Sequence, residues 1–225
     1  MLISLIGMSG SGKSYWSEKL ARRGFRRFCI DALITQKLSA ELRREDGSWL
    51  SLGEWMGFPY QDGYQEREEL YLSTEKQLMG EVVDWIGQNF RSGSEENVVV
   101  DTTGSVIYTG ENLLKRLKSL TTIINFTVPA VIREAMLRQY LSNPRPVLWR
   151  GLFSIEPGES VEEALFRSYN ALLDSREVVY HELADIEIDY FTRNSPDFRI
   201  CALLEIAARP SKEANACLND SLGIN

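Results

Sequence analysis

Where an apolar run at residues 2–6 stops, the chain reads GMSGSGKS over residues 7–14. Three glycines, a lysine and a serine at that spacing satisfy the pattern G-x-x-x-x-G-K-[ST]. Glycines let backbone N–H groups converge without Cβ clashes, and they supply the positive-φ positions of an anion-binding nest. The helix expected from Lys13 onward would turn its positive N-terminal end on the same point. Gly7, Ser9, Gly10, Ser11, Gly12, Lys13, Ser14 and Tyr15 are therefore the candidate phosphate-binding residues. Lys13 would reach the outer phosphates of a nucleotide and the Ser14 hydroxyl would ligate Mg²⁺. ATP and Mg²⁺ are the cofactors this implies.

Such a cradle needs a strand before it, a helix after it, and a sheet to hold both. Residues 2–6 read as a buried strand ended by glycine. From Lys13 the pattern turns helical until Gly24 ends it, and a second strand at 25–30 leads to Asp31. Helices are expected at 32–44, 50–56 and 65–90. The clearest central strand is VVVD at 98–101, apolar on both faces and closed by a carboxylate. Helix at 110–119, strand at 121–127, helix at 129–141, a proline-rich break, helix at 161–180, strand at 184–190 and helix at 197–208 complete the pattern. Alternating strands and helices predict an α/β fold of three layers, with a parallel central sheet and helices on both faces. In such sheets ligands bind at the carboxyl ends of the strands. The loops after Ile6, at Asp31 and after Val100 all fall there.

Of the 225 residues, 25 are basic and 32 acidic, giving a net charge of −7 that argues against nucleic acid as the main partner. The cluster Arg22, Arg23, Arg26, Arg27 has no aromatic ladder and reads as a solvated helix end and loop. No apolar run approaches membrane-spanning length, and the N-terminal one is too short for a signal-peptide core. Cys29, Cys201 and Cys217, odd in number and widely spaced, suggest neither a disulfide framework nor a zinc site. The expected setting is cytoplasmic, with a small-molecule substrate, no nucleic acid or membrane partner, and a monomeric state.

Several segments, in order, carry a likeness. GMSGSGKS is followed by FCIDALI, then VVVDTTGSVI, NPRPVL, SREVVYHELADIEID and TRNSP. Together these resemble the shikimate kinase family of P-loop proteins, over residues 1–207. The resemblance implies a kinase domain at 1–208, with an acceptor-binding region at about 32–75, a mobile lid at about 138–160, and a loose tail at 209–225. It implies that Arg145 is a lid arginine that neutralises charge on the moving phosphoryl group, and that Arg138 and Arg193 lie on the nucleotide side. Asp31 would contact the acceptor hydroxyls and help deprotonate the attacking one. Arg176 would bind the acceptor's anionic end, beside Thr103 and Gly104.

The departures matter as much. Cys29 stands where the family has a metal-side aspartate, and Asp101 ends the central strand where the family has threonine. Asp101 is therefore the candidate carboxylate for the magnesium waters. Thr102-Thr103-Gly104 replaces a glycine triplet, and the segment Tyr71-Leu72-Ser73-Thr74-Glu75 lacks the family's acceptor arginine. Arg67, one helical turn earlier, is the candidate substitute. The expected function is transfer of the γ-phosphoryl group of ATP to a hydroxyl of a small polar metabolite, in a remodelled acceptor pocket. The alternatives are a nucleoside or nucleotide kinase, and a degenerate ATP-binding regulatory module without turnover.

Overall fold

The computed structural model describes residues 1–208, so the tail expected at 209–225 lies outside the described residues. Five strands, β1 (Leu2–Ile6), β2 (Arg26–Cys29), β3 (Val98–Asp101), β4 (Thr122–Phe126) and β5 (Ile186–Ile188), form one sheet in the order β2-β3-β1-β4-β5. Every pairing is parallel. The crossovers are α1 (Lys13–Ala21), α2 (Ile30–Lys37), α3 (Leu52–Met56), α4 (Tyr64–Arg91), α5 (Glu111–Leu120), α6 (Ala130–Ser142) and α7 (Val161–Leu183). Two helices, α8 (Tyr190–Asn194) and α9 (Ile200–Ala207), follow the last strand.

Strand residues alternate between two buried cores, because successive side chains leave a strand on opposite faces. Ile3, Leu5, Val99 and Ile124 pack with Trp16 and Leu20 of α1 and with Leu203 of α9. Ile6, Val98, Val100 and Ile123 pack against α4, α5 and α7 through residues such as Val83, Leu117 and Leu172. The sheet thus has helices on both faces, as the continuous apolar strands require. The glycine cradle follows β1, the central strand, where neighbours on either side can overlook it.

Local chemistry moves two expected boundaries. The helix expected at 32–44 ends at Lys37. There Leu38 and Leu42 turn inward, Leu50 N–H bonds Leu42 O, and Asp46 accepts both the N–H and the hydroxyl of Ser48 to fold the chain back. The last strand stops at Ile188 because the Asp189 side chain accepts the N–H groups of Phe191 and Thr192 and starts α8. Arg193 therefore lies on a helix, where the sequence suggested a loop.

The segment expected as a lid is packed against its neighbours. Residues 144–150 are docked onto α3 and α4. Val147, Leu148 and Trp149 are buried, and Trp149 sits among Tyr140, Phe153 and Tyr169. Tyr64 Oη donates at 2.7 Å to Val147 O and accepts the Trp149 N–H at 3.0 Å. Glu68 receives the Arg150 N–H at 2.9 Å. Pro144 passes so close to Gly53 that a Cβ there would lie 1.8 Å from its carbonyl oxygen. The aromatic residues Trp55, Phe58, Tyr60 and Tyr64 are largely engaged in this packing, while Trp49 stays exposed.

Candidate active site

Gly10 and Gly12 adopt φ of 84° and 95°, values L side chains rarely tolerate, and Gly12 is the residue from which α1 starts. The loop's N–H groups and the helix end therefore share one focus, with Ser14 and Tyr15 exposed at its mouth. Lys13 is 6% exposed, and its Nζ donates to Gly7 O at 2.7 Å and Met8 O at 2.9 Å. Burial pushes its pKa down to about 8, against the upward pull of Asp101 and Asp31. An ammonium held only by neutral carbonyls gains from exchanging them for phosphate oxygens, since charge-assisted bonds are roughly twice as strong.

The cradle opens into a cavity of about 370 Å³ whose wall includes Lys13, Asp31, Tyr71, Gly104, Arg145 and Pro146. Asp31 stands at the start of α2, just beyond β2. Tyr71 Oη, from α4, donates to its Oδ1 at 2.9 Å. Enclosure by protein raises the Asp31 pKa, opposed by the Tyr71 hydrogen bond and by Lys13. Arg145 reaches in from the lid, its Nη1 3.8 Å from where a Cβ on Gly10 would sit. It makes no ion pair among the described residues. Gly104 admits no side chain, because a Cβ would lie 2.9 Å from Ser9 N. A larger hollow of about 600 Å³ lies at the other end of the strands, near Met1, Val98 and Thr122, away from these groups.

Strand register explains Asp101. Cys29 and Asp101 are partners across β2 and β3, so the carboxylate sits one strand over from Cys29, at the same level of the sheet. Asp101 is 2% exposed, and its Oδ2 accepts the Ser17 hydroxyl at 2.9 Å and Arg27 Nη2 at 2.7 Å. Its Oδ1 takes no hydrogen bond among the described residues. One open carboxylate oxygen and one open hydroxyl, Ser14, suit Mg²⁺, which keeps most of its waters and takes the rest of its shell from phosphate. No group of three or more His, Cys, Asp or Glu side chains able to hold a metal occurs among the described residues. Asp101→Asn is expected to raise the Mg²⁺ concentration for half-maximal nucleotide binding by roughly 10–100-fold. A magnesium titration of nucleotide binding reads this directly, and an unchanged midpoint removes Asp101 from the metal site.

No protein-family model matches the chain, and no curated protein matches it. Solved structures do. Shikimate kinase from Aquifex aeolicus superposes with a TM-score of 0.57 at 21% identity, over 96% of this chain and 98% of that one. Shikimate kinase from Bacteroides thetaiotaomicron gives 0.55 at 16% identity, over 100% and 99% of the two chains. Shikimate kinase from Acinetobacter baumannii, solved in complex with shikimate, gives 0.53 at 18% identity, over 99% and 93%. The chain has the shikimate kinase fold.

On that fold, five expected site residues are engaged elsewhere. Arg67 donates from Nε to Met56 O at 3.0 Å and from Nη2 to Asp62 O at 3.1 Å, which clamps the loop between α3 and α4 and keeps it off the cavity wall. Arg138 is exposed and pairs with Glu134 one turn back on α6. Arg193 is buried, donating to the carbonyls of Ser11 at 3.0 Å and Thr127 at 2.7 Å, so it props the cradle from behind. Thr103 is bonded to Glu75 and lies 3.0 Å from the Ser105 hydroxyl. Arg176 is also buried, and pairs with neither Asp174 nor Glu177, which hold Arg133. It donates to Gly104 O at 3.1 Å, Tyr108 Oη at 3.3 Å and Leu148 O.

Sequence reasoning did not single out Glu75, Arg27 or Tyr71 for a role in the site. Glu75 is fully buried, takes the Ser105 hydroxyl at 2.6 Å, and desolvation raises its pKa to about 7. A carboxyl raised above its ordinary 4.5 stabilises the fold fully below that value and loses the contribution as pH rises through about 7. From those values, Glu75→Gln is expected to remove roughly 3 kcal/mol of the stability lost between about pH 4.5 and 8. Denaturant unfolding at both pH values measures it, and an unchanged difference places the titration elsewhere.

Proposed function

We propose that the protein is an ATP-dependent kinase that moves the γ-phosphoryl group to a hydroxyl of a small polar acceptor. The observation that supports this most is one cavity bordered by the glycine cradle, Lys13, Asp31 and Arg145. Phosphoryl transfer asks chiefly for positioning and charge neutralisation, and these groups supply both. The cradle's N–H groups bind the phosphates. Lys13 leaves the Gly7 and Met8 carbonyls for the outer phosphates, and Arg145 neutralises charge on the transferring group from the lid side. Mg²⁺, held through Ser14 and by Asp101 through water, would offset the charge on the phosphate oxygens.

Asp31 orients the acceptor. Tyr71 occupies Oδ1, so Oδ2 accepts the attacking hydroxyl and takes its proton as the O–P bond forms. Its raised pKa suits a base that must hold that proton during transfer. Docking of residues 144–150 closes the cavity on the lid side and keeps bulk water from competing with the acceptor. A soluble, cytoplasmic setting fits this chemistry, and no helix among the described residues is long and apolar enough to cross a membrane.

The test is ADP release from Mg-ATP, alone and with hydroxyl compounds. Acceptor-stimulated release supports the proposal. Tight ATP binding with no stimulation by any acceptor would instead support a regulatory nucleotide-binding module.

A further inference from the structure

We infer that Tyr64 and Glu68 of α4 are positioning residues for phosphoryl transfer, acting through Arg145 by holding the backbone of residues 147–150. This rests on the kinase reading above, in which Arg145 meets the transferring group.

Arg145 borders the cavity with no ion pair of its own among the described residues, so its backbone must set its place. That backbone is stiff. Pro144 fixes its own φ, and Pro146 confines Arg145 to extended conformations. Helix α3 backs it closely, since a Cβ on Gly53 would lie 2.8 Å from Arg145 Cα.

The next four residues anchor this bridge. Tyr64 Oη donates to Val147 O at 2.7 Å, shares that proton with Glu68 Oε1 at 2.8 Å, and receives the Trp149 N–H at 3.0 Å. Glu68 Oε1 accepts the Arg150 N–H at 2.9 Å, and its Oε2 meets the Arg150 guanidinium at 3.5 Å. Arg176 takes Leu148 O from α7.

Packing alone does not call for these residue types. Tyr64 and Glu68 are 7% and 4% exposed, on a helix face where apolar side chains carry no desolvation cost. Apolar contact is non-directional, whereas hydrogen bonds fix where the segment lies along the helix. The same face carries Tyr71, whose hydroxyl holds Asp31 at 2.9 Å. One helix thus spaces Arg145 from the base, with about 10 Å of rise between Tyr64 and Tyr71. Misplacing a reacting group by about 1 Å can cost roughly 10²-fold.

The probe is Mg-ADP with aluminium fluoride, a mimic of the transferring phosphoryl group that needs no acceptor. Its gain in affinity over Mg-ADP alone isolates contacts to that group. Tyr64→Phe is expected to cut the gain about tenfold or more, with Mg-ADP affinity nearly unchanged. Arg145→Ala should cut the gain by itself, and adding Tyr64→Phe to it should cost little more. Glu68→Ala should behave like Tyr64→Phe, while Glu68→Gln keeps an oxygen for the Arg150 N–H and should recover most of the gain. This second pair carries the test where Tyr64→Phe does not fold. An unchanged gain in Tyr64→Phe or Glu68→Ala overturns the inference and leaves the kinase reading intact. So does a loss as large without Arg145 as with it, or a full gain in Arg145→Ala. Wild-type protein that binds Mg-ADP but gains nothing from aluminium fluoride removes the kinase reading and the inference together.

Discussion

Lys13→Met is expected to lower kcat/KM by about 10³-fold or more while the protein stays folded. The side chain would be the main protein cation on the outer phosphates, and loss of one such transition-state contact typically costs 10²–10³-fold or more. Stability should move little, for a reason visible in the geometry. The buried ammonium bonds two carbonyls and no carboxylate, and burial already disfavours its charge, as its pKa of about 8 reflects. Methionine keeps the length and removes that penalty, which offsets the two lost hydrogen bonds. Single-turnover kinetics beside a thermal melt separates the effects. A loss below tenfold with a normal melt would exclude Lys13 from phosphoryl transfer.

Asp31→Asn carries the second large effect, a fall in kcat of roughly 10²–10⁴-fold with nucleotide affinity nearly unchanged. Asn retains an oxygen for the Tyr71 hydroxyl, so the local structure survives, while the ability to take a proton is lost. The pH profile supplies the distinguishing sign. A base with a raised pKa is inactive when protonated, so the wild-type rate should fall on the acid side as pH drops through that pKa. In the variant that acid limb should vanish. If the limb persists unchanged, another group is the base.

The parts of this site that were legible from sequence are those made by neighbours in the chain. GMSGSGKS specifies a turn, a helix start and a lysine within eight residues, and the structure forms that unit at the end of β1. Asp31 and Asp101 were legible as strand-end carboxylates because parallel strands deliver their carboxyl ends to one edge. Pairing across distance was not legible. Glu75 meets Thr103 and Ser105 from another element, and Arg27 meets Asp101 across two strands, so no local spacing announces either contact. Arg67 and Arg138 show the converse. Their types fit the expected roles, but the helix face decides whether a guanidinium reaches the cavity, and both point to other partners. One signal was overlooked. Asp189 before Tyr190-Phe191-Thr192 is a good helix cap, and it explains why Arg193 is on a helix.

The strand order has a consequence for the timing of assembly. β1 lies between β3 and β4, with Leu2 opposite Val98 and Ile3 opposite Thr122. Both partners are synthesised about a hundred residues after β1, and closing such long loops is slow compared with forming helices. The glycine cradle therefore spends much of translation without the strands that hold it. Its glycines, free in the unfolded chain, are constrained only when β3 and β4 dock. ATP present during refolding would bind only after that step, so nucleotide should slow unfolding and leave the rate of the first collapse unchanged.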